Sequence, residues 1–164
     1  MILDEEKFKN YQCSQYKMYS IVLRHLDGQN KGVQTTHGVC EYVRKHWDDE
    51  DLQQWINQDK TLVMLSGGTV SDMNEIRACF DEVGIPYETF EEEDLAGITT
   101  SICLLADEKV WDRKNYPSFN EFAKTYTETT GFTNTDDLVV VYERLVGGHQ
   151  NAVKKEILNN LRLA

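Results

Sequence analysis

The sequence predicts an α/β domain: a four-stranded mixed sheet with helices on its faces, followed by a mostly helical C-terminal extension. Three observations carry this expectation. Short runs rich in strand formers recur at residues 17–24, 60–66, 86–90 and 100–106. Between them, apolar residues return at three- and four-residue steps, the helical period. After Asp107 the character shifts to capping patterns and an amphipathic closing segment.

Residues 1–16 are polar and carry no clear period, so an arm or short helix is expected there. Lys17 to Arg24 forms the first strand and ends at a turn-like Asp27-Gly28. Val33, His37, Cys40, Val43 and Trp47 share one helix face. Asp48 to Asp51 supplies acids for the first turn of a second short helix carrying Leu52, Trp55 and Ile56. Lys60 to Ser66 is a buried strand closed by Gly67-Gly68. That pair lacks both the P-loop ending and the dinucleotide fingerprint, so it reads as a turn.

Ser71 is the expected N-cap of a helix carrying Met73, Ile76, Phe80 and Val83, with Gly84 as its stop and Pro86 preventing continuation. Pro86 to Phe90 is a strand near an edge, and Thr100 to Ala106 is an apolar strand. Ser118 and Glu121 make a capping-box pattern. Residues 138–146 stay open between strand and helix. The triple Val favours a strand, and Asp136 or Asp137 could cap a helix. Val153, Ile157, Leu158 and Leu161 form one stripe of a closing helix. The segment 109–164 is therefore expected to dock on the core or on a partner subunit. Intramolecular packing and a two-fold homodimer both remain open.

The chain has 164 residues, 40% of them hydrophobic and 27% charged, enough for one domain with an appended unit. Its net charge is −11. Residues 1–108 carry 9 Lys and Arg against 21 Asp and Glu, whereas residues 109–164 carry 8 against 7. The acidic part repels a phosphate backbone unless its few cations cluster. No apolar run approaches a membrane span and the acidic start is not a signal peptide, so a cytoplasmic protein without membrane contact is expected. Cys13, Cys40, Cys79 and Cys103 make no C-x-x-C pair, so buried free thiols are expected and no metal site is. Nothing calls for a cofactor.

Two segments together carry a resemblance. Ile21 to Arg24 is followed by Val33-Gln34-Thr35-Thr36-His37-Gly38, and Gly84-Ile85-Pro86 is followed by Phe90 to Asp94, Leu95-Ala96-Gly97 and an apolar strand opened by Thr100. The order resembles the type II peptidyl-tRNA hydrolase fold, and is closest to its short bacterial and viral members. It covers residues 17 to 107. The resemblance implies hydrolysis of the ester joining a peptide to tRNA. In that family a lysine before the helix, the loop aspartate and a threonine four residues after it are the catalytic candidates, and a cation beside a carboxylate suits that chemistry.

Carried over residue by residue, the catalytic lysine position falls on Gly28 and the second on Asn30, with Lys31 one step out of register. Asp94 matches the loop aspartate. The threonine position falls on Ile98, leaving Thr99 and Thr100 as substitutes. The implied catalytic set is Lys31, Asp94, Thr99 and Thr100, and the implied binding set is Arg24, Gln34 and His37. Read without the resemblance, His37 is a core histidine with one backbone hydrogen bond, Gln34 ties its helix to a loop, and Asp94 ends a solvated charge run. Two functions follow. One is a peptidyl-tRNA hydrolase of weak activity whose partner is peptidyl-tRNA. The other is a catalytically diverged viral or mobile-element accessory protein that sequesters a small ligand or blocks a host protein.

Overall fold

The computed structural model describes residues 13–164, so most of the expected N-terminal arm lies outside the described residues. The elements are β1 (Lys17–Val22), α1 (Gly28–Lys45), α2 (Glu50–Gln54) running into a π-turn at Trp55–Asp59, and β2 (Thr61–Ser66). Next come α3 (Val70–Val83), β3 (Glu88–Glu92), a 3-10 turn at Glu93–Leu95 and β4 (Ile98–Ala106). The remainder is α4 (Glu108–Trp111), α5 (Phe119–Thr130), α6 (Thr135–Val146), α7 (His149–Asn160) and β5 (Arg162–Leu163).

The strands form one mixed sheet in the order β3-β4-β1-β2-β5. β1 is parallel to β2, and the other pairs are antiparallel. The sheet therefore has five strands, not four. The extra strand is made by the residues after α7, where Arg162 lies opposite Ser66 and Leu163 opposite Leu65. The Ala164 N–H extends the pairing to the Met64 carbonyl at 3.2 Å. Two residues are too few to show a strand pattern in sequence.

β1 is central, and its side chains alternate between the two faces. Met18 points to one face and packs with Tyr42 of α1, Leu52 of α2, Cys103 and Leu105. Tyr19 and Ile21 point to the other, where Met73 and Phe80 of α3, Leu104, Val110 and Leu158 of α7 complete a larger cluster. A third cluster is built within the helices after the sheet, from Phe122 of α5 and Leu138, Tyr142, Leu145 and Val146 of α6. Residues 138–146 are thus helical. Leu138, Tyr142 and Leu145 recur at helical spacing and are buried, while Val139 and Val140 face solvent. The N-cap is Asn134 rather than Asp136 or Asp137, its side chain accepting from the Asp136 N–H.

α1 differs from expectation in which side it buries. Val33 is 43% exposed and Trp47 57% exposed, and Cys40 is exposed too. The buried residues are Gln34, Thr35, Gly38 and Tyr42. The physical reason lies in the strands beneath. β1 and β4 present Ser20, Thr100 and Ser101 to this helix, all fully buried, so a polar helix face satisfies them where an apolar one would leave hydroxyls orphaned. The Ser20 hydroxyl donates to Thr35 Oγ1 at 3.0 Å, and the Ser101 hydroxyl to the Gln34 carbonyl at 2.8 Å.

Other boundaries have local causes. α3 is capped by Thr69, not Ser71, in a reciprocal box with Asp72. The Ser118–Glu121 box opens α5 as its spacing predicts. Gly84 ends α3 in the left-handed region that glycine tolerates. β3 runs Glu88–Glu92, shifted by two residues from the predicted strand. Of the four free cysteines only Cys103 is buried, and burial pushes its thiol up to about 12. No helix among the described residues is long and apolar enough to cross a membrane.

α7 is held to α4 by a buried cation. The Lys155 ammonium donates to the Val110 carbonyl at 2.7 Å and reaches the Lys109 carbonyl at 3.4 Å. These acceptors are carbonyls freed at the end of a helix. Desolvation pushes the lysine down to about 8 from 10.5. The folded value lies below the unfolded one, so the unfolded chain holds more protons in that window and stability rises with pH across it. Urea unfolding should show the wild type gaining stability relative to Lys155→Met between about pH 8 and 10.5.

Gly38 gives a second test. A Cβ there would lie 2.5 Å from Ser101 Oγ and 2.7 Å from Cys103 Sγ. Gly38→Ala should therefore force α1 away from β4 and lower stability by about 1–3 kcal/mol in chemical denaturation.

Candidate functional site

One end of the sheet gathers the chemistry. The C-terminal ends of β1, β2 and β3 and the start of β4 lie together there, as the pairings Val22 with Ser66, Val22 with Ser101 and Glu92 with Ile98 require. The chain leaves β1 for α1 on one face and leaves β2 for α3 on the other. Adjacent parallel strands whose connections part to opposite faces leave a crevice beyond their carboxyl ends, the usual ligand position in open α/β sheets.

Such a crevice is present, with a volume of about 860 Å³. Arg24, Lys31, the Gly67-Gly68 turn, Ile76, Leu161 and Arg162 all line it. Its floor is tightly built. The Gly67 N–H donates to the Val22 carbonyl at 2.8 Å, and the Arg24 N–H to the Gly68 carbonyl at 2.9 Å. A side chain on Gly67 would strike Met73 and Ile21, and Gly68 has φ +81° with the Asp72 carboxylate against its open side. The two glycines are thus required by packing and turn geometry. Asp72 accepts from the Thr69 N–H at 2.6 Å and from its hydroxyl at 2.8 Å. Those hydrogen bonds hold the Asp72 carboxyl below its ordinary value, and nearby Arg24 adds to the effect.

The residues implied by the resemblance divide into four groups. Arg24 and Lys31 line the crevice. Gln34, Thr99 and Thr100 are buried. The Thr100 hydroxyl donates to Gln34 Oε1 at 2.8 Å, and Gln34 Nε2 donates to the Glu92 carboxylate at 2.7 Å. Thr99 Oγ1 accepts from the Arg77 guanidinium at 2.6 Å, which also pairs with Glu91 at 3.3 Å. These side chains are spent on one another. Asp94 stands exposed in the 3-10 turn between β3 and β4, ahead of Ala96 and Gly97, both with positive φ. It shares the end of the sheet with Lys31, but β3 lies two strands from β1, or about 10 Å at the usual strand spacing.

His37 is half-buried with its ring 4.4 Å from that of Phe90. Its Nδ1 is buried without a partner, so the expected backbone hydrogen bond at that atom is not made. Carboxylates of β3 meet this side of α1. Glu92 meets Gln34, and Glu88 pairs with Lys45 at 2.5 Å and with His46 at 3.0 Å. Among the described residues no cluster of His, Cys, Asp or Glu could hold a metal ion.

Arg162 and the apolar wall of α7 are additions that sequence reasoning missed, because nothing local marks them as near Arg24. The Gly67-Gly68 turn was the available signal. It follows a buried strand and precedes a helix, the sequence context of a switch-point crevice.

Thr100→Val should remove the donor to Gln34 Oε1 and leave a buried acceptor unsatisfied. The expected loss is about 1–3 kcal/mol in chemical denaturation, with little further loss on adding Gln34→Leu to the same chain.

Compared with protein-family models and with curated proteins, the chain matches none.

Proposed function

We propose that the protein is a binding protein of type II peptidyl-tRNA hydrolase-like architecture, one that takes a small ligand in the crevice beyond β1 and β2. The supporting observation is the division of the implied catalytic set. Thr100 is 0% exposed and hydrogen-bonded to Gln34, and Thr99 is held by Arg77. Neither hydroxyl is open to a substrate ester. Lys31 and Arg24, by contrast, line a concave space of about 860 Å³, within the range of about 300–1,000 Å³ common for small-molecule sites. That space owes part of its wall to α7 and β5, which lie outside the segment carrying the resemblance.

The hydrolase reading keeps one favourable observation: Lys31 and Asp94 share one end of the sheet. It also asks an anionic RNA to approach the run Glu91 to Asp94, which is unfavourable.

A peptidyl-tRNA cleavage assay separates the two. The binding reading expects ester loss no faster than in buffer. Turnover that disappears in Lys31→Ala and in Asp94→Ala would overturn it in favour of the hydrolase.

A further inference from the structure

Resting on the small-ligand reading, we infer that the crevice selects a phosphorylated small molecule, with Arg24, Lys31 and Arg162 reading the phosphate and the α7 wall covering the apolar body. The three cations come from three separate segments: the turn after β1, the first turns of α1, and β5. They converge on one concave space. Arg44, Arg77 and Arg113 are each paired with a glutamate on this strongly acidic chain. Among the described residues, no carboxylate lies within ion-pair distance of Arg24, Lys31 or Arg162. Arg24 does act on the Asp72 carboxylate electrostatically, but none of the three cations makes an ion pair with a described residue. Cations that line one cavity in this way are matched to an oxyanion with several acceptor oxygens, and a phosphate suits two arginine forks and a lysine point charge.

The acidic side chains in the lining are those of Asp72 and Glu75. Asp72 turns its carboxylate onto the Thr69 amide and hydroxyl, so its charge is already engaged. Glu75 lies one turn further along α3 and is exposed. It lines the same crevice and opposes an anion there, and this sets a sign that can be tested. In the same lining, Ile157 and Leu161 of the α7 end, with Ile76 of α3, supply an apolar surface for a ring or chain attached to the phosphate. Arg162 is the informative residue. It belongs to the strand that also closes the sheet edge, so one segment supplies both the edge cover and the third cation.

The test uses the full chain and three probes: AMP, adenosine and inorganic phosphate, each titrated by calorimetry at low and moderate salt. AMP should bind and adenosine should bind at least about tenfold more weakly, since charged hydrogen bonds carry the difference. Inorganic phosphate should compete with AMP. Arg24→Ala and Arg162→Ala should each weaken AMP by about 10- to 100-fold, Glu75→Gln should tighten it, and added salt should weaken it. Both arginines are exposed, and unchanged unfolding curves for the variants will show that the fold is kept. AMP that fails to bind, adenosine that binds as well as AMP, or AMP binding indifferent to both arginine variants overturns the inference. Equal binding of adenosine and AMP leaves the small-ligand reading standing with a neutral ligand. Lys31-dependent cleavage of peptidyl-tRNA removes that reading itself, whatever AMP does.

Discussion

The seating of α1 on β4 is the constraint from which the rest of this end of the molecule follows. Gly38 allows the helix to approach until its backbone meets the side chains of Ser101 and Cys103. At that depth, Gln34, one turn earlier, reaches Thr100 and Glu92 together, and its own carbonyl receives the Ser101 hydroxyl. The same seating fixes the first turn of the helix, capped by Asp27, beside the crevice that Lys31 lines. A helix held further out would lose the buried hydrogen bonds and move its N-terminus off the end of β1.

That polar interface also explains why the fold was more legible in the sequence than the packing. The strand at residues 60–66 and the capped helix at Ser118 were readable because their signals are local. The buried side of α1 was not, because hydrophobic periodicity assumes an apolar bed, and here the bed is made of serine and threonine from strands distant in sequence. β5 was invisible because two residues carry no period. The valines at 139–141 suggested a strand, yet the i, i+4, i+7 set of Leu138, Tyr142 and Leu145 found partners on α5, and tertiary packing overrode β propensity.

The candidate site shows the same division. Arg24 and Lys31 were named through a family resemblance and do line a crevice. Thr99, Thr100 and Gln34 were named on the same ground and lie buried, hydrogen-bonded within the fold. Spacing along the chain could indicate that these residues come near one another. It could not indicate which of them face a cavity, because that depends on the seating of α1 and on a wall contributed by α7 and β5. Sequence proximity to a motif and exposure to a ligand are separate properties, and only the second has chemical consequence.

The two rims of the sheet are guarded by different means. On one side β3 carries Glu88, Glu91 and Glu92, charged side chains tied to Lys45, Arg77 and Gln34, and charged groups on an edge strand discourage a second strand from adding on. On the other side β2 carries no such defence. Leu62 is 44% exposed there, and β5 covers only the last part of the strand while bearing Leu163 at 79% exposure. Protection on that side is supplied by β5 rather than written into β2 itself. Detachment of β5 would turn a closed rim into an adhesive one, so the resistance of this edge to self-association depends on two paired residues.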